Sequence, residues 1–106
     1  MMPPEHFSPH VPLPQPGAKE LVWFPPMPTG RELVLAWTCD CLVTFFELIQ
    51  SGGVAFIRRT VQDERAPVIA ETHRWRLEEA RLTWTALLAG QVRVNGRVGA
   101  VESSGQ

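Results

Sequence analysis

At 106 residues, with a net charge of −1 and a pI near 6.3, the chain has room for at most one domain and lacks the basic balance of most autonomous DNA binders. No apolar run reaches the roughly 20 residues a membrane helix needs. No basic start followed by an apolar stretch marks a signal peptide, so a cytoplasmic protein without membrane contact is expected.

Nine of the ten prolines precede Thr29. Proline removes a backbone donor and restricts its predecessor, so residues 1–28 cannot be helical and are expected as a proline-rich arm, extended or disordered. Pro9-His10-Val11-Pro12 has the spacing of a polyproline ligand, although a flexible arm is the plainer reading. Inside the arm, residues 20–24 (Glu-Leu-Val-Trp-Phe) form an apolar island suited to an edge strand or a docking peptide.

Residues 31–38 alternate, with Leu33, Leu35 and Trp37 against Val34, Ala36 and Thr38, which predicts a strand covered on both sides. Residues 42–50 form a second apolar run, Ser51-Gly52-Gly53 a tight turn, and 54–61 a returning strand with Arg58 and Arg59 on opposite faces. Val68-Ile69-Ala70 after Pro67 reads as a further short strand or the approach to a helix.

A helix is expected over 72–89, with Thr72 as N-cap and Gly90 as the stop. At 100° per residue, Leu77, Ala80, Trp84, Leu87, Leu88 and Gln91 form one apolar stripe, facing the sheet. Trp75, Leu82, Ala86 and Ala89 form a second stripe nearly opposite. The fold class is therefore α+β: an antiparallel sheet of three or four strands with one C-terminal helix packed on it. The folded domain is assigned to 29–97, with a flexible tail over 98–106. A core of this size, roughly 60 residues, is marginal alone, so a second copy or another protein is expected as partner.

Charge is unevenly distributed. Residues 1–53 carry two cations against five acids, net −3, whereas 54–97 carry eight arginines against five acids, net +3. The doubly apolar helix makes Trp75, Leu82 and Ala86 the expected dimer or partner contact. The alternative is nucleic acid, held by Arg58, Arg59, Arg74, Arg76 and Arg81. Against it, Glu78 has the spacing to pair with Arg74 and Arg81 along the helix.

Cys39-Asp40-Cys41 with His73, or with His6 and His10, makes a zinc set on paper. Structural zinc sites space two cysteines by two to four residues, however, so two reduced thiols are the plainer reading and no metal is expected. Cys39 or Cys41 with His73 lacks any local motif of a nucleophile and base. Gly52-Gly53 leads into a strand, whereas phosphate loops open onto a helix. Neither catalytic residues, nor cofactor, nor small-molecule substrate is expected.

The order of features from Cys41 onward does resemble a known group. Cys41 leads into a strand, Gly52-Gly53 turns it, and residues 54–58 end in Arg58. A loop from Asp63 to Pro67 precedes Val68-Ile69, and a helix bearing Trp84 closes on Leu88 and Gly90. This order resembles the BldB-like small regulatory proteins of actinobacteria. The resemblance covers about half the chain and implies a small dimeric protein acting in transcription regulation with transcription factors, with no enzymatic role.

Overall fold

In the computed structural model, residues 9–99 are described. Pro3, Pro4 and His6 of the expected arm, and residues 100–106 of the expected tail, lie outside them. The chain runs β1 (Lys19–Glu20), β2 (Leu33–Trp37), β3 (Thr44–Ser51), β4 (Val54–Val61), β5 (Val68–Glu71), β6 (Trp75–Arg76), α1 (Leu77–Leu88) and β7 (Val92–Arg93). The fold is α+β. Strands β2-β3-β4-β5 form an antiparallel sheet in chain order, β6 adds a fifth strand beside β4, and α1 packs on one face.

The hairpin β3–β4 forms as its sequence dictates. Ser51 pairs with Val54 around the two-residue loop Gly52-Gly53. Gly52 has φ +64° and Gly53 does not share the positive sign, which is the requirement of a type II′ turn. On β4, alternation sends Ala55, Ile57 and Arg59 to one face and Phe56, Arg58 and Thr60 to the other.

The first face is the core. Phe46, Leu48, Ala55, Ile57 and Ala70 of the sheet bury against Ala80, Trp84 and Leu87 of α1, with Leu77 and Leu88 half-buried beside them. Five of the six stripe residues therefore do what their spacing predicts; Gln91 lies beyond the helix and is exposed. The helix ends in a Schellman motif. Gly90 takes φ +72°, its N–H donates to the Leu87 carbonyl, and the Gln91 N–H reaches back to Ala86.

The helix start differs from expectation. It begins at Leu77, capped by Arg76 without a side-chain bond, and Glu78 and Glu79 offset the exposed amides of its first turn. Thr72 is no N-cap. It sits where the edge strand breaks between β5 and β6, donating its N–H to the Ile57 carbonyl while its Oγ1 accepts from the Ile57 N–H. The hydroxyl thus replaces a missing backbone carbonyl in the ladder, and residues that suit a helix are held as strand.

The arm is the largest departure. Residues 9–28 form no helix, as their prolines require, and run extended apart from a turn at Pro16-Gly17, but they are packed into the domain. Strand β1 pairs in parallel with β7, Trp23 bridges to Val98, and Phe24 bridges to Glu71. Val98 and Gly99, assigned above to a flexible tail, therefore pair with the arm. Trp23 is fully buried, 6.0 Å from Phe46 between ring centres. The chain lies on the helix-bearing face up to Trp23, rounds the β5 edge at Phe24, and recrosses the opposite face to enter β2 at the far edge. Met27 and Glu32 touch that opposite face on the way.

Candidate functional site

The recrossing segment divides the second face of the sheet into a closed half and an open half. In the closed half, Ile49 and Phe56 are fully buried. Between the halves runs an ion cluster built on Glu71. Arg58 Nε and Nη2 donate to Glu71 Oε2 at 3.0 and 2.9 Å, and Arg74 Nη2 donates to Oε1 at 3.1 Å. The Met27 N–H also donates to Oε1, at 3.2 Å. Arg58 reaches Glu32 at 2.7 Å as well, and the Arg74 guanidinium lies 3.9 Å from the centre of the Phe56 ring. Burial works to lower the Arg58 pKa, but Glu32 and Glu71 outweigh it and raise it further. Bonds from Arg58 and then Thr29 hold the Glu32 carboxyl below its ordinary value.

This cluster accounts for two of the five arginines considered for nucleic acid. Arg58 and Arg74 are committed to carboxylates. Arg59 is buried on the opposite face, donating to the Val94 and Gly96 carbonyls at 2.7 Å each. Desolvation lowers its pKa. Arg76 and Arg81 are exposed, on β6 and on α1. The five do not converge on one basic face.

The expected partner contact is also dispersed. Trp75 belongs to β6, pairs with Ala55, and is half-buried with its ring 4.6 Å from His73. Leu82 stands 72% exposed on α1 in a shallow concavity lined by Glu78, Glu79, Arg81 and Thr85, and Ala86 is half-buried. Because the helix starts after Trp75, no second helical stripe links it to Leu82.

The apolar surface that does form is the open half of the sheet face. Cross-strand register sets Trp37 opposite Glu47, and aligns Phe45, Thr60 and Ile69 across three strands. Alternation adds Val43 to the same side. Trp37 is 55%, Val43 65% and Ile69 37% exposed, and Phe45 is half-buried. Strict alternation groups Trp37 with Leu33 and Leu35 on a strand covered on both sides. The register shift between Val34 and Ala36 instead sets Trp37 on the face of Val34, and the path of residues 25–32 leaves half of that face uncovered.

At the end of the same hairpin, three potential ligands meet. Cys39 donates to Cys41 Sγ at 3.1 Å, and His10 Nε2 lies 3.1 Å from the same sulfur. The ligand atoms of His10, Cys39 and Cys41 all fall within 4.8 Å of one another. His73 is elsewhere. It follows Thr72, which bonds Ile57, whereas the cysteine loop is tied to Gln62, five strand residues or about 16 Å away. The hydrogen bond from Cys39 keeps the Cys41 thiol above its ordinary value, the reverse of an activated nucleophile.

No family model matches the chain, and no curated protein or solved structure matches it either.

Proposed function

We propose that this chain is a small, non-enzymatic, cytoplasmic interaction protein that works as a homodimer through the open half of its sheet face. The observation that carries the reading is the cluster Trp37, Val43, Phe45 and Ile69, aligned on one face and left uncovered by the recrossing segment. Sheets pack face to face about 10 Å apart with interdigitating apolar side chains. A two-fold axis would set this patch against its own copy, with Glu47 and Thr60 among the apolar groups. No helix among the described residues is long and apolar enough to cross a membrane. The resemblance to the BldB-like regulators supports a role in transcription regulation, with a transcription factor as the further partner.

The test is solution mass by light scattering across a concentration series, for the full chain and for Trp37→Ser/Ile69→Lys. The wild type should be a dimer and the variant a monomer with unchanged circular dichroism. A wild type that stays monomeric at high concentration, or a variant that still dimerises, overturns the proposal.

A further inference from the structure

The cysteine loop is a built site, held from three directions. The Cys39 N–H donates to the Pro9 carbonyl at 2.8 Å, fixing the arm beside the loop. Val11, one residue beyond His10, packs half-buried against the core, and Pro12 restricts Val11 in turn. His10 is thereby anchored on both sides. On the loop itself, the Gln62 side-chain amide donates to the Asp40 and Leu42 carbonyls, and the Gln62 N–H to the Val43 carbonyl. Thr38 closes the base, its N–H donating to the Phe46 carbonyl while its Oγ1 accepts the Phe46 N–H.

Two sulfurs and an imidazole nitrogen suit a thiophilic cation, and zinc takes this donor set in tetrahedral geometry. Bonds of about 2.3 Å to sulfur and 2.0 Å to nitrogen put neighbouring ligand atoms roughly 3.5–3.8 Å apart in a tetrahedron. The 3.1 Å contacts need open by only about half an ångström, well within side-chain rotation. The short Cys-x-Cys spacing, unusual for zinc read along the chain, is offset here by a third ligand from 31 residues away.

We propose that His10, Cys39 and Cys41 bind one zinc ion that staples the N-terminal segment to the β2–β3 loop. These three are the ligands found among the described residues, and His10 and Cys41 are exposed, so the site is reachable from solvent. Both cysteines bind as thiolates, so each releases its proton on coordination.

The full chain, reduced and stripped with a chelator, is titrated with Zn²⁺ against a competing chromophoric chelator, and separately with Co²⁺. One ion per chain, with the Co²⁺ form showing tetrahedral visible bands and thiolate charge transfer, is the expected result. Zinc should also raise the melting temperature. Cys41→Ser and His10→Ala, both at exposed positions, should keep the fold. Each should weaken zinc binding by more than the roughly 10–100-fold typical of losing an outer-shell partner. A folded wild type that retains no zinc, a Co²⁺ spectrum without the thiolate band, or undiminished binding by both variants overturns the proposal. So does a chain that takes no zinc and only closes a Cys39–Cys41 disulfide on mild oxidation.

Discussion

The guanidinium of Arg59 lies 4.6 Å from the centre of the Trp23 ring, and both residues are buried. Among the described residues the charge is held by the ring face and by two carbonyls, those of Val94 and Gly96, and not by a carboxylate. One side chain thereby joins the central strand to the N-terminal and C-terminal segments. Arg59→Met keeps the apolar stem but leaves the two carbonyls without this donor. It should cost about 2–4 kcal/mol in urea unfolding. A loss under about 0.5 kcal/mol would mean the carbonyls find other donors at no cost.

Glu71 balances two guanidinium groups while almost fully buried. Glu71→Gln preserves its shape and removes its charge, leaving Arg58 with Glu32 alone and Arg74 with a neutral amide. The expected loss is about 3 kcal/mol, the scale of breaking a buried pair from one side. Glu71→Gln combined with Arg74→Met should recover part of it. A double-mutant cycle in chemical denaturation measures the coupling.

Glu32 gives the same cluster its acid sensitivity. Its folded pKa lies below the ordinary 4.5, so its unfolded form binds a proton first as pH falls. The contribution is therefore present above that value and is lost as pH drops through the folded value. Glu32→Gln should flatten the stability profile in this acid window. It should lower stability near neutrality only modestly, because the pair with Arg58 is partly exposed. Urea midpoints measured from neutral pH down to the acid limb give the answer.

Gly90 is constrained twice. Its φ of +72° disfavours any side chain, and a Cβ there would lie 2.8 Å from the Leu13 carbonyl oxygen. The Gln15 N–H donates to the Gly90 carbonyl, and Gln15 Nε2 to that of Ala89. Gly90→Ala should cost about 1–2 kcal/mol for the backbone alone. It should also speed hydrogen exchange at the Gln15 amide, separating displacement of the arm from a general loss of stability.

What the sequence made legible was local. Alternation and the Gly52-Gly53 turn predict the β3–β4 hairpin, and the 3.6-residue spacing of Ala80, Trp84 and Leu87 predicts the buried side of α1. Thr72 misled because a threonine before an acidic, apolar-periodic run has the same signature whether its hydroxyl caps a helix or completes a strand ladder. Trp23 misled for a different reason. Its partners, Arg59 and Val98, are distant in sequence, and nothing in the proline-rich composition around it signals a parallel pairing with residues near 92–98. The meeting of His10 with Cys39 and Cys41 depends on that same wrapped path. Its ligands were readable as residue types, but their convergence was not.

The parallel pairing of β1 with β7 has a consequence for how the molecule is made. A chain is synthesised from its N-terminus, so β1 and Trp23 emerge long before Val92 and Val98 exist to receive them. The central hairpin can close on the nascent chain, since its contacts are short in range. Trp23 cannot obtain its final cover, nor Arg59 its two carbonyls, until residues 94–98 have left the ribosome. Until that segment is available, and in any chain truncated before β7, Trp23, fully buried in the finished fold, is left open to whatever chaperone or protease meets it first.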